Sequence, residues 1–556
     1  RTINMNPYYN STQSDIVNGV GGNQASITNN RSLQILWSNI LNYNAIFNKM
    51  HSLNVMLGQE AQSYEYFQNV ATIDGISDDY YQWYNMGAGS TLKAPSSNYT
   101  GDKMLSYFAR INYSFKDRYL VTVTGRFDGS SKFGEDNRFA FFPSAALGWR
   151  ASEEDFLKGN KVISNLKPRV SYGFTGNSGI PTYGSMANLS TSGMAYPFGG
   201  TRENGIGVGS LANPLLRWEK TGQFNVGLDL GFLNERISLS ADYYIKHTTD
   251  MLLNAPVPTT SGFRSISTNI GNMRNSGFEF TLNTQNIQTK NFSWSSMLNF
   301  SSLKNKITAL SQGDADIIMA PNNLTILRVG ESVGSFFGYI RDGVWGENEA
   351  EQAAIYGKLP GDAKLRDVNN DKQINESDRV ILGKGIPDFY GTFTNTFKYK
   401  DFDLVIELQY SCGSKIYWDG LGTCAMRQGI ANSLSMVLDT WTPENQGATL
   451  EQIRPSNAYY NSLKDDARLY NGSFIRGKNI SLGYNLPSDI CKKLHLKALR
   501  VTLSAQNIFV ISQYPGFDPE TTVYNTTTQN EAFAQNIETF GYPKPRTFSF
   551  GANITF

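Results

Sequence analysis

Residues 106–127 read SYFARINYSFKDRYLVTVTGRF, and on both sides of Lys116, Asp117 and Arg118 the apolar side chains fall on every second position. Before the triplet, Tyr107, Ala109, Ile111, Tyr113 and Phe115 alternate with Ser106, Arg110, Asn112 and Ser114. After it, Tyr119, Val121, Val123 and Phe127 alternate with Thr122, Thr124 and Arg126. Successive side chains of a strand point to opposite faces, so this spacing predicts a hairpin with one apolar and one polar face. The same alternation closes the chain in Phe550, Gly551, Ala552, Asn553, Ile554, Thr555 and Phe556. A strand of that kind suits a wall with lipid on one side and a polar interior on the other.

Outward from this hairpin the pattern recurs in Phe139–Trp149, Phe224–Leu230, Ile237–Ile245, Phe278–Leu282, Phe292–Phe300, Phe389–Tyr399, Phe402–Tyr410, Ile480–Tyr484 and Leu499–Phe509. About 15 strands are expected on this basis, starting near residue 33. Helical spacing is confined to Glu347–Tyr356 and Asp489–Leu494. Two kinds of connection alternate. Tight charged turns (116–118, 233–236, 398–401) face long stretches rich in Gly, Asn, Ser and Pro (178–213, 254–272, 309–386, 411–470). Short turns on one rim and long loops on the other are the asymmetry of outer-membrane barrels. Aromatic residues gather at strand ends, among them Tyr113, Phe115, Tyr119, Tyr243, Tyr399 and Phe402, as rings anchored at the lipid headgroup level would.

Composition agrees with an all-β, antiparallel transmembrane barrel. The 556 residues include 30 Tyr, 33 Phe, 8 Trp and 51 Gly, yet the mean hydropathy is only −0.36, because every second residue of such a strand avoids lipid. No apolar run reaches the roughly 20 residues of a membrane-crossing helix. With 49 Lys and Arg against 48 Asp and Glu, there is no basic field to gather nucleic acid. Cys412, Cys424 and Cys491 make neither a disulfide framework nor a CxxC knuckle; Cys412 and Cys424 either close a local loop or remain thiols. A first residue of Arg1 is that of a processed or partial polypeptide.

Several motifs bear on chemistry. Asp367, Asn369, Asp371, Gln373, Asn375 and Asp378 stand at positions 1, 3, 5, 7, 9 and 12 of a Ca²⁺-loop pattern, with Ile374 at position 8. Lys372 replaces the turn glycine, and an aspartate closes the loop, as in the dockerin variant that it resembles. The alternative is a surface loop held by Asx turns. Residues 361–382 are therefore expected to form a calcium-loop-like insertion within the 309–386 connection. Gly330, Glu331, Ser332, Val333 and Gly334 spell GxSxG, but no αβ alternation surrounds them and His495 is the only histidine that follows, so hydrolase chemistry is not expected. Gly205, Gly207 and Gly209 are loop glycines, and His51, His247 and His495 lack ligand spacing. Two aromatic clusters are candidates for substrate contact: Tyr80, Tyr81, Trp83 and Tyr84 beside Asp78 and Asp79, and Trp418 and Asp419 beside Tyr417. Flat rings next to carboxylates and amides can stack on sugars and bond their hydroxyls. They can equally well pack the loops or face a partner.

Longer phrases carry a resemblance. FFPSAALGWRASEEDFLKG (141–159), RVSYGFTGNSGI (169–180), NPLLRWEKTGQFNVGLDLGFLNERISLSADYY (213–244), GDAKLRDVNNDKQINESDRVILGKGIPDFYGTFTNTFKYKDFDL (361–404), SFIRGKNISLGYNLP (473–487), LRVTLSAQNIFVISQYPGFDPE (499–520) and the ending YPKPRTFSFGANITF resemble the barrel of SusC-type TonB-dependent transporters of Bacteroidetes outer membranes. The resemblance implies 22 strands around a plug, a SusD-like surface lipoprotein as lid, and energy delivered through TonB. It implies import of oligosaccharides or, in some members, peptides, with no bond-breaking step. The family's plug and TonB-contacting segment precede the barrel and have no counterpart in this sequence, so residues 1–556 are expected to be the C-terminal part of the barrel. A passive porin-like barrel and a secreted glycan-binding β-protein are the rival readings.

Overall fold

The computed structural model describes residues 2–10, 23–76, 78–191, 195–263, 265–319, 323–425, 432–454, 463–521, 533, 535–539 and 541–556. Strands of nine residues or more, labelled here in chain order, are β1 Thr2–Asn10, β2 Gln24–Phe47, β3 His51–Ile76, β4 Ser96–Phe115, β5 Tyr119–Ser130, β6 Phe139–Trp149, β7 Ile163–Asn177 and β8 Glu219–Phe232. They continue as β9 Ile237–Thr249, β10 Asn272–Gln288, β11 Phe292–Ser302, β12 Phe389–Tyr399, β13 Phe402–Cys412, β14 Phe474–Asn485, β15 Ala498–Gln506 and β16 Thr547–Thr555. The chain divides into two compact units. One comprises Arg1–Ala146, Gly173–Lys220 and Leu252–Asn269; the other comprises Leu147–Tyr172, Thr221–Met251 and Ile270–Phe556. No described helix is long and apolar enough to cross a membrane, which says nothing of strands.

In the first unit β1, β2, β3, β4 and β5 pair antiparallel in sequence order. The turns that join them are short. Asn48 and Lys49 have φ of 49° and 55°, and Lys116 and Asp117 both have 52°. Two consecutive left-handed residues make the type I′ turn whose twist matches that of the flanking strands. The register aligns Tyr43, Val55, Ile111 and Val123 across four strands. Their row is not sealed by another layer: Tyr43 is 55%, Ile111 45% and Val123 47% exposed. A sandwich would bury that row, so the soluble-sheet alternative fails here, and the face has the character of a lipid-facing wall.

The second unit pairs β9, β10, β11, β12, β13, β14, β15 and β16 antiparallel, and β7 with β8. Outward rows again coincide, as in Leu482, Leu503 and Phe550. Phe402 stacks on Tyr484 with centroids 4.3 Å apart.

Strand bounds at β6 and β12 are those the spacing predicts. Helices at Ala350–Ile355 and Ser488–Lys493 also fall where expected. Two expectations are corrected. Strands begin at Thr2 rather than near 33, and β2 and β3 reach 24 and 26 residues; polar residues on both faces of β3 (Asn54, Gln59, Glu60, Gln62, Ser63) hide the alternation there. The long connections are also not bare loops. The 309–386 stretch carries a sheet of Ile317–Met319, Thr325–Leu327, Ser335–Gly338 and Val380–Lys384. Lys415–Trp418 pairs with Leu469–Asn471 and Ile537–Glu538. Buried backbone amides need partners, and such short ladders supply them.

Candidate functional site

The polar face of each unit is built by register. In the first unit Asn44, Asn54, Asn112 and Thr122 stand directly opposite one another on β2, β3, β4 and β5. They form a continuous ladder. Asn54 Nδ2 donates to Asn44 Oδ1 at 2.5 Å, Asn112 Nδ2 to Asn54 Oδ1 at 3.1 Å, and Thr122 Oγ1 to Asn112 Oδ1 at 2.9 Å. Further along this face Arg126 bonds Asp128 and Ser106.

The second unit has the same construction, with further ion pairs. Arg169 on β7 bonds Asp229 on β8 and Asp242 and Ser240 on β9, and Arg500 on β15 bonds Asp403 on β13 at 2.6 Å. Its neutral ladder runs through Thr281, Asn299, Thr392 and Gln409, again aligned across β10 to β13. Thr281 Oγ1 donates to Asn299 Oδ1 at 2.9 Å, and Asn299 Nδ2 donates to Thr392 Oγ1 at 3.0 Å.

The ladder ends in a hollow of about 410 Å³ lined by Asn299, Tyr390, Thr392, Gln409, Glu520 and Thr521, with others. Gln409 Nε2 donates to Glu520 Oε1 at 3.3 Å. Gln409 Oε1 and Thr521 Oγ1 are buried and have no hydrogen-bond partner among the described residues. Burial pushes the Glu520 carboxyl up, but the bonds from Lys544 and Gln409 outweigh it and hold the group below the usual carboxylate range. The hollow thus offers an anion already neutralised by Lys544, two unused hydrogen-bonding atoms and the Tyr390 ring. These are groups that bind a neutral, hydrogen-bonding ligand.

The two predicted aromatic clusters fall in different units. Tyr80, Tyr81 and Tyr84 are exposed, at 86%, 40% and 74%. Trp83 stacks on Tyr84 with centroids 4.2 Å apart and packs with Tyr9 on Ala25, Ile73 and Ile76. Tyr9 also donates to Asp79. By contrast Tyr417 is fully buried, Trp418 meets Tyr470 and Tyr514 edge to face, and Asp419 is paired with Lys464 at 3.0 Å. The first cluster presents exposed rings that pack on one another, Tyr80 edge to face with Tyr81, whereas the second is buried in packing.

The 367–378 loop is closed by its own side chains. Asp367 accepts from Asp371 N and Lys372 N, Asn369 from Asp371 N, Asp371 from Gln373 N, and Asn375 from Ser377 N. Asp378 is fully buried and accepts from Val368 N and Asn375 N, both at 2.9 Å. Lys372, in the glycine position, has φ 63°. These are the Asx turns of the alternative reading, on the same residues that would ligate an ion. Ile374 packs against Ala363, Leu365 and Leu463, as an apolar position 8 should. Among the described residues no group of three or more His, Cys, Asp or Glu is arranged to hold a metal.

Ser332 of GxSxG precedes a strand, Ser335–Gly338, not a helix, and its hydroxyl donates to Asn305 at 3.2 Å. It is a structural serine. Gly207–Val208 pairs with Leu189–Ser190, and His51 bonds Tyr113. Cys412 is a free thiol, while the Cys424 side chain lies outside the described residues. Sequence reasoning missed Asn299, Thr392, Gln409 and Glu520. Alternation assigns the first three to the polar face, but only register puts them in one row.

Residues 1–508 match the family described as TonB dependent receptor-like, beta-barrel. The chain is 35% identical over 550 residues to TonB-dependent receptor P3 of Formosa agariphila, which covers 97% of this chain and 54% of that relative. It is 34% identical over 481 residues to TonB-dependent receptor SusC of Bacteroides thetaiotaomicron, covering 84% and 45%. The solved RagAB peptide transporter superposes over 100% of this chain and 59% of its own, with a TM-score of 0.83 and 25% identity. The chain spans about half the length of the curated relatives it matches.

Proposed function

Because this chain belongs to the TonB-dependent receptor-like β-barrel family of outer-membrane proteins, we propose that it forms part of the wall and outer loops of a SusC-type importer that takes up oligosaccharides with a SusD-like lipoprotein. The remaining strands of a 22-stranded cylinder, the plug and the TonB-contacting segment are assigned by this proposal to the part of the relatives' length that the chain does not span. Ligand is captured between the loops and the lipoprotein, TonB displaces the plug, and the ligand passes along the polar face. No bond is made or broken. The observation that carries the substrate class is the row Thr281, Asn299, Thr392, Gln409, whose hydroxyls and amides end beside Tyr390 in a charge-neutralised hollow. Such groups exchange hydrogen bonds with sugar hydroxyls without favouring a charge.

Likeness to a solved transporter titled for peptides favours a second reading, peptide uptake through the same wall. The discriminating experiment is uptake of fluorescent oligosaccharides and of fluorescent peptides by cells with and without the full-length gene, each repeated after loss of TonB. Oligosaccharide uptake that needs both supports the proposal, peptide uptake that needs both selects the second reading, and uptake indifferent to TonB indicates a passive barrel.

For the loop of Asp367, Asn369, Asp371, Gln373, Asn375 and Asp378 we propose structural Ca²⁺, supported by the ligand spacing and by the packing of Ile374. Hydrogen exchange of this loop in the full-length protein should slow when Ca²⁺ is added and quicken with chelator. Unchanged exchange would leave the Asx turns as the whole explanation.

A further inference from the structure

The outward face of the first unit contains a feature that import does not use. Near the loop end of β2 to β6 the apolar wall is dented by a hollow of about 540 Å³. Its floor is made of small residues on facing strands: Ala61 and Ser63 on β3 and Gly129 on β5. Ile35, Trp37, Leu105 and Phe139 form its sides. Gly129 lets the Phe139 ring lie over its backbone, where a Cβ would come within 2.3 Å of the ring, so that ring closes the hollow on the Gly129 side. At the rim stand two cations, Lys103 and Arg138.

Their height can be read from the strand. Lys103 lies 12 residues from Phe115, the last residue before the tight turn. At about 3.3 Å per residue and a tilt of about 40° this is a rise of roughly 30 Å, one hydrocarbon thickness. Arg138 is level with it: its carbonyl accepts from Ser130 N, and Ser130 is the register partner of Met104. Both cations therefore sit at the headgroup level of the leaflet on the long-loop side. Both are exposed, and among the described residues neither has an acidic partner within 4 Å. Among outward acids, Glu65 is opposite Gly101, two positions further toward the loops, and Glu135 and Asp136 are exposed in the turn that leads into Arg138, with neither forming an ion pair with it. Two unpaired cations above an apolar hollow call for an amphiphile whose head is anionic.

We propose that this dent binds a phosphate-bearing glycolipid of the outer leaflet, the phosphate held between Lys103 and Arg138 and an acyl chain lying over Ala61 and Ser63 between Trp37 and Phe139. Charge-assisted bonds to phosphate fix the head, and the dent lets the chain approach the backbone closely. The proposal requires only the membrane-facing orientation of this wall and is independent of what the protein imports.

The test is native mass spectrometry of the detergent-purified full-length protein offered lipid A, dephosphorylated lipid A, or phosphatidylglycerol. Lipid A should be retained in about one copy and at least tenfold better than either of the others. A Lys103→Glu, Arg138→Glu double variant should lose that preference. Ala61→Leu, which fills the dent and leaves the cations in place, should weaken retention several-fold. Heat-modifiable migration on gels shows that each variant is folded. Equal retention of dephosphorylated lipid A would overturn the phosphate site. Equal retention of phosphatidylglycerol would overturn the glycolipid, and undiminished binding by both folded variants would overturn the location.

Discussion

The strand wall and the loop body above β11 to β14 solve the problem of buried polarity in opposite ways. On the wall of the first unit, neutral side chains in register hand hydrogen bonds from strand to strand, as in Asn44, Asn54, Asn112 and Thr122. The loop body instead buries full charges: Arg341 pairs with Glu451 at 2.8 Å and with Asp465, and the three side chains are 5%, 4% and 0% exposed. A ladder of amides tolerates the loss of one rung, because water in a polar interior can replace it. A buried ion cluster does not, because the charge left behind has no solvent.

The largest effect should come from Arg341→Leu. Leaving Glu451 and Asp465 without Arg341 should cost about 3–5 kcal/mol of local stability, read as faster hydrogen exchange and proteolysis in 335–384, 432–454 and 463–471 while the strands stay protected. Burial already pushes the Glu451 carboxyl up, against the pull of Arg341. A carboxyl with a raised folded pKa binds its proton more tightly in the folded state, so its contribution falls as pH rises through that pKa. The variant's loops should therefore be better protected at pH 5 than at pH 8. Strands and loops loosening together would mean that the ion cluster does not hold the loop body separately from the wall.

Next in size is Val123→Arg, which puts a charge on the outward row some four residues above the tight turn. A cost of about 2–4 kcal/mol is expected if that row lies near the bilayer midplane, measured by urea titration of folding into vesicles. A variant as stable as the parent would mean that Val123 does not face lipid. Gln409→Leu should leave folding intact and reduce ligand uptake several-fold, since it removes the amide at the end of the second unit's ladder. Unchanged uptake would detach the hollow from transport.

The smallest effect concerns the exposed pair of Asp342 and Arg366. The hydrogen bond from Arg366 holds the Asp342 carboxyl below the usual range. A depressed carboxylate contributes stability above its unfolded pKa and loses it as pH falls through the folded one, so the loss should begin only below about pH 4. Solvent screening keeps it small. Asp342→Asn should remove the acid-dependent part of loop protection and change nothing at pH 7.

These comparisons also separate what was legible beforehand. The bounds of β6 and β12, the tight turns at 116–118 and 233–236, and the apolar rows could be read from spacing, because side-chain direction in a strand is a local property with period two. The length of β2 and β3 could not be read, since their polar stretches lack contrast between faces. Of the candidate contacts, the Tyr80 and Tyr84 rings are exposed to solvent, but Trp418 and Asp419 are taken up by Tyr470, Tyr514 and Lys464. Composition cannot distinguish an aromatic that waits for a ligand from one that already has a neighbour.

The sequence by itself determined that this protein is a two-faced antiparallel wall of the TonB-dependent receptor type, since alternation and turn chemistry act between near neighbours. Only the tertiary structure decided which polar residues share a row, that Gln409 and Glu520 meet at the end of one, and that Lys103 and Arg138 share the rim of a lipid-side hollow. Those facts depend on register between strands far apart in the chain, and a shift of one residue would turn every one of these side chains to the other face.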